Sequence, residues 1–171
     1  MTRHRIVPER SRLWADARSS LHPIHLETAG LTGYLEVEVE GSRLKPDAAV
    51  SAQVELEAGR LRTGTELYDH ELEHRLEIER YPRIQGTVHE VRSLDSGGRY
   101  LVRGELSFHG VTRRVSGEVT IRIADDRTIE VEGEKEFDMR DYGLDPPRLL
   151  MLRVYPEIRV RARVVAERVR E

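Results

Sequence analysis

Strict alternation of apolar and charged residues constrains this chain more than any other feature. Leu35, Val37 and Val39 alternate with Glu36, Glu38 and Glu40. Val50, Ala52, Val54 and Leu56 alternate with Gln53, Glu55 and Glu57. Ile129, Val131 and Gly133 oppose Glu130, Glu132 and Glu134, and Ile158, Val160, Ala162 and Val164 oppose Arg159, Arg161 and Arg163. A period of two sends successive side chains to opposite faces of a strand, one face buried and the other solvated. Parallel strands covered on both faces read instead as continuous apolar runs, so this pattern means antiparallel pairing.

Such runs fall near 12–27 (broken around Ser19-Ser20), 32–44, 48–58, 84–93, 98–110, 113–123, 127–140 and 150–167. Turn chemistry at Gly41, Pro46-Asp47, Asp95-Ser96-Gly97-Gly98 and Asp125-Asp126 separates them. About eight strands can close into a small barrel. A two-sheet sandwich would alternate in the same way. Glu dominates the outward positions at 36–40 and 130–136, Arg those at 159–163. Opposite charges on neighbouring strands stabilise by roughly 0.2–1 kcal/mol per pair, which favours the last strand beside one or both Glu strands. Residues 65–80 break the pattern, with Leu72, Leu76 and Glu79 at helical spacing. They read as one short amphipathic helix stopped by Tyr81-Pro82, because the residue before proline is pushed out of the α region.

The 171 residues carry 28 Lys+Arg and 31 Asp+Glu, a net charge of -3, so the basic excess of a general nucleic-acid binder is absent. No stretch approaches the ~18 apolar residues of a membrane span. Met1 to Pro8 holds basic residues with no apolar run behind them, which does not read as a signal peptide. The expectation is a single cytoplasmic domain over 1–171. With no cysteine there is no disulfide, thiol catalysis or Cys-based metal site.

His70-Glu71-Leu72-Glu73-His74 matches the H-E-x-x-H spacing that sets two imidazoles one turn apart for zinc, with Glu as general base. A zinc hydrolase is therefore one alternative. Zinc-protease helices are apolar around the motif, whereas Asp69, Arg75, Glu77, Glu79 and Arg80 flank this one. Glu77, His89 and His109 are the third ligands that could be proposed, none at a recognisable spacing. The competing interpretation is a solvated helix face. His22 and His25, flanking Ile24, read as hydrogen-bonded structural residues.

The segment Gly104-Glu105-Leu106-Ser107-Phe108-His109-Gly110-Val111-Thr112-Arg113 is a strand, a tight Gly turn and the start of the next strand. It resembles the G-(D/E)-L-(T/S)-(I/F)-H-G-V-T-(R/K) hairpin of the YceI-like family. Ala17 to Ile24, with Gly30 to Leu35, resembles that family's opening strands. Leu61-Arg62-Thr63-Gly64, Asp69 to Leu72 and Tyr81-Pro82-Arg83-Ile84 resemble its helix segment, and Phe137 to Leu144 its late strand end. The resemblance runs from about residue 11 to 166. It implies an all-β, eight-stranded antiparallel, lipocalin-like barrel with a long apolar lumen and the helix near its mouth. It also implies a carrier rather than an enzyme, one that holds an isoprenoid lipid or isoprenoid quinone and needs no cofactor. Relatives usually place an aromatic two residues past the isoleucine of the Y-P-x-I segment; here that residue is Gly86. Many relatives carry a secretion signal.

Given a barrel, residues one step out of phase with the charges point inward. The expected lumen residues are Leu35, Val37, Val54 and Leu56 in the first half, then Ile84, Gly86 and Val88. Val102, Leu106 and Phe108 follow, then Val119 and Ile121. Val131, Lys135 and Phe137 come next, and Leu152, Val154, Ile158 and Val160 complete the set. Lys135 is the exception to the rule of outward charge. Either it sits at a rim or beside a bulge, or it marks the polar end of the lumen and meets a ligand head group. A packed barrel that binds another protein through its wall is a further alternative, and a homodimer is compatible with either barrel.

Overall fold

The computed structural model describes residues 1–46, 49–95, 97–146, 148–149 and 151–170, with only the backbone of Leu149. The strands are β1 (Thr2–Ile6), β2 (Arg12–Ser19), β3 (Pro23–Thr28), β4 (Thr32–Val37), β5 (Val39–Glu40), β6 (Arg43–Leu44) and β7 (Ser51–Glu57). The helix α1 (Glu66–Leu76) follows. Then come β8 (Arg83–Ser93), β9 (Arg99–Phe108), β10 (Val111–Ile123), β11 (Thr128–Asp138), β12 (Arg148–Leu149) and β13 (Leu152–Arg168).

Eight strands close a ring in the order β1-β4-β7-β8-β9-β10-β11-β13 and back to β1, every pairing antiparallel. The ring is a barrel, which settles the choice against a sandwich. β13 forms its spine. One edge pairs with β11 from Glu157 to Glu167, and the other is shared between β1 and β2. β1 and β2 are one strand broken at Val7–Ser11. At the break the Ser11 hydroxyl donates to the Val7 carbonyl at 2.8 Å and accepts from the Val165 N–H at 3.0 Å, replacing a ladder bond in a fully buried position. β3 pairs with β2 and extends the wall on one side.

β13 lies beside one of the two Glu strands. Arg159 pairs with Glu134 at 3.0 Å, and Arg163 reaches Glu132 and Glu130 at 3.2 and 3.3 Å across β11 and β13. The strand bearing Glu36 lies beyond β1, where Arg3 pairs with it instead.

Several elements differ from the sequence expectation. β1 lies outside the expected runs because its inward positions are Thr2, His4 and Ile6, and the histidine masks the apolar period. The run 32–44 divides into β4 and a small β5–β6 hairpin around Gly41, whose φ is +64°. The helix ends at Leu76, well before Pro82. Glu77 adopts a left-handed conformation (φ 50°), and its N–H is bonded back to Glu73 and His74. Asp47, Ser96 and the expected strand starts at 48 and 150 lie outside the described residues. No described helix is long and apolar enough to cross a membrane.

Candidate functional site

Inside the barrel, beneath α1, is an apolar cavity of about 310 Å³. Register explains which side chains reach it. Val54 and Leu56 on β7 face Gly86 and Ile84 on β8, and Gly86 in turn faces Leu106 on β9. Phe137 on β11 is paired with Ile158 on β13, and Val160 lies two residues further along the same face. Phe108 completes the contribution of β9. These nine residues of the expected lumen set line one continuous space.

The other ten do not. Leu35, Val37, Leu152 and Val154 are buried in packed core, and Val88, Val119, Ile121 and Val131 pack against it. Val102 is half-buried and likewise outside the cavity. Away from α1 the interior is filled by its own side chains, as small barrels commonly are. Ile6, Leu35, Val37, Tyr100, Ile129 and Val164 make up that packed end.

Lys135 keeps the inward register, paired with Val160 without a bulge, yet it is exposed and does not line the cavity. The described ladder between β10 and β11 stops at Val119–Gly133, so beyond it the wall is not paired across this seam. Lys135 lies over that seam. Its stem runs beside Gly117, and its ammonium stands 5.9 Å from the Phe137 ring centre, within cation–π range.

Residues outside the expected lumen set complete the cavity. Leu13 and Ala15 of β2 and Leu26 of β3 supply one wall, and Leu72, Arg75 and Leu76 of α1 supply the lid. Met139, Tyr142 and Leu144 fold in from the 3-10 turn after β11. Leu13 and Ala15 show the same alternation that identified the other strands, so that signal was present. The turn residues have no periodicity to betray them. Arg75 is engaged by Glu71 at 3.0 Å, and Asp145 sits on the same rim. Burial pushes the Tyr142 phenol above its ordinary value, so it remains neutral.

The end of the lid is tied to the β9–β10 turn. His109 follows Phe108 in the β9–β10 turn, and its Nε2 lies 2.7 Å from Glu77 Oε2 while its Nδ1 lies 3.0 Å from the Tyr142 carbonyl. Tyr81 packs edge-on against the imidazole at 5.0 Å. One side chain thus joins the hairpin, the end of the helix and the late turn.

The candidate zinc ligands and base of the H-E-x-x-H motif, His70, His74 and Glu71, lie apart from this cavity. His70 and His74 are exposed, and Glu71 is held by Arg75. Among the described residues no group of three or more His, Asp or Glu is placed to hold a metal ion.

A family model for the YceI-like domain matches residues 5–166. Among curated proteins no sequence matches. Three solved structures share the fold. A polyisoprenoid binding domain from Saccharophagus degradans, implicated in plant cell wall breakdown, has a TM-score of 0.79 at 17% identity, covering 99% of this chain and 100% of that one. BcnA of Burkholderia cenocepacia has a TM-score of 0.78 at 16% identity, covering 94% and 98%. The YCEI protein of Campylobacter jejuni has a TM-score of 0.66 at 14% identity, covering 84% of each chain.

Proposed function

The chain belongs to the YceI-like family, and from that premise we propose that it holds an elongated apolar molecule, an isoprenoid lipid or isoprenoid quinone, in its lumen without transforming it. The observation that carries this reading is the cavity beneath α1, walled almost entirely by aliphatic and aromatic side chains. Burial of alkyl chain in such a space supplies about 0.8 kcal/mol per CH₂, with no charged contact needed. The Saccharophagus degradans neighbour is a polyisoprenoid binding domain, and its likeness in fold supports the same ligand class here. Binding rather than turnover fits the lining. Among the described lining residues the one cation, Arg75, is already paired with Glu71, and no nucleophile stands beside a base.

Solvent extraction of freshly purified protein, followed by mass spectrometry, tests the reading. A stoichiometric isoprenoid or similar apolar molecule is expected. Protein that carries none, and that takes up no added prenol or quinone, sinks the carrier function.

A further inference from the structure

Gly86 is a glycine that its own backbone does not require. It lies within β8, with Val54 opposite on one side and Leu106 on the other, and its φ is outside the left-handed region. Glycine inside a strand weakens it and normally marks a bulge, a bend or a close approach. Of the other inward-facing strand glycines, Gly33 has a φ of +133°, Gly117 lies against the stem of Lys135, and Gly104 and Gly133 fit that rule. A Cβ at Gly104 would run into the Thr87 backbone, and one at Gly133 would lie 2.9 Å from Val119 Cγ1. A Cβ at Gly86 would meet nothing nearer than the Glu105 carbonyl at 4.0 Å. What lies in front of Gly86 is the cavity.

The far boundary of that cavity is equally defined. One step along the inward register from Val54 and Gly86 are Ala52 and Val88, paired with each other, and Ala52 is paired in turn with Leu35. None of these three lines the cavity, and all belong to the packed end or rest against it. The space therefore stops part-way down the barrel. An apolar cavity of roughly 150 Å³ holds one benzene ring, so 310 Å³ holds about a dozen carbons.

We propose that the lumen is a length-limited site for a short apolar chain of two to three isoprene units, and that the absent side chain at Gly86 gives that chain its room. This rests on the carrier reading and narrows its ligand. A long polyprenyl chain has no place beyond the layer of Leu35, Ala52 and Val88.

The test is native mass spectrometry of delipidated protein offered an equimolar mixture of geraniol, farnesol, geranylgeraniol and solanesol, which have two, three, four and nine isoprene units. Geraniol or farnesol is expected to occupy the protein at least tenfold more than solanesol. Gly86→Phe is expected to lose farnesol at least tenfold. Gly86→Ala, whose single methyl the fold accommodates, decides the matter if the phenylalanine variant does not fold; it should shift the preference from farnesol toward geraniol. Solanesol bound as well as farnesol would overturn the length limit while leaving the carrier reading standing. Farnesol binding unchanged in both Gly86 variants would overturn the role of Gly86. Failure to bind any prenol removes the carrier reading and this proposal together.

Discussion

Gly110 shows the opposite case to Gly86, a glycine that both backbone and surroundings demand. Its φ is +73°, and a Cβ there would meet Tyr81 Cε1 at 2.5 Å. Gly110→Val is expected to destabilise by more than about 1 kcal/mol, because a β-branched residue is strained at positive φ even before the clash. An unchanged melting temperature would refute this. The turn itself was legible in the sequence. Its collision partner was not, since Tyr81 comes from the segment after the helix and only the closed barrel brings it over the hairpin. His109 teaches the same lesson. Phase places it away from the lumen in a turn-stabilising role, but its hydrogen bonds run to Glu77 and Tyr142, outside the turn. Both His109 (φ 53°) and Glu77 (φ 50°) hold left-handed conformations that non-glycine residues seldom adopt, and each is the other's partner.

At the scale of the element, α1 depends on the loop before it as much as on its own sequence. Thr65, at its N-cap, makes no side-chain capping bond. The buried Asp69 carboxylate instead reaches back and accepts from the Thr63 N–H at 2.6 Å and the Thr63 hydroxyl at 2.8 Å. Asp69→Ala removes both bonds and leaves a part-buried N–H without its partner. The expected loss is about 1–3 kcal/mol. Urea titration would show it as a lower midpoint at constant m-value, and a midpoint within error of the parent protein would dismiss the role. The existence of this helix could be read from Leu72 and Leu76 at helical spacing. Its end could not. Pro82 is the strongest local stop signal, yet the chain turns at Glu77, where contact with His109 from a distant hairpin fixes the exit. Local propensity yields to tertiary contact wherever such a partner arrives.

For the whole molecule, alternation settles which residues face inward but not how far along the barrel they lie. Nine expected lumen residues line the cavity and nine apolar ones are buried or half-buried outside it, and both groups obey the same period. Depth depends on side chains meeting from opposite walls, which no single strand records. Closure of the ring was likewise hidden, because it falls to β1, where His4 occupies the inward position. His4 pairs with Leu35 on β4 and Arg168 on β13, is only 3% exposed, and its Nδ1 has no hydrogen-bond partner among the described residues. Burial pushes its pKa below the ordinary 6.5, a backbone contact with Thr2 opposing and the charge of Arg168 reinforcing the shift. The sign of the linkage follows from proton uptake. Below about pH 6.5 the unfolded chain binds a proton that the folded chain resists, so the unfolded state is favoured as pH falls. The stability tied to a neutral His4 is complete above that value and declines as pH drops toward the lowered folded pKa. Because β1 is the strand that closes the barrel, its protonation should loosen the ring at the seam between β4 and β13. The expected result is a melting temperature that decreases between pH 7.5 and 5 in the parent protein and decreases less steeply in His4→Leu, which cannot take up the proton. The protection factors of the Arg3 and Arg5 amides, corrected for the slower intrinsic exchange at low pH, should fall over the same range in the parent alone. Identical pH slopes for the two proteins would mean that His4 remains neutral or is solvated in both states, and would remove it as the acid-sensitive point of closure.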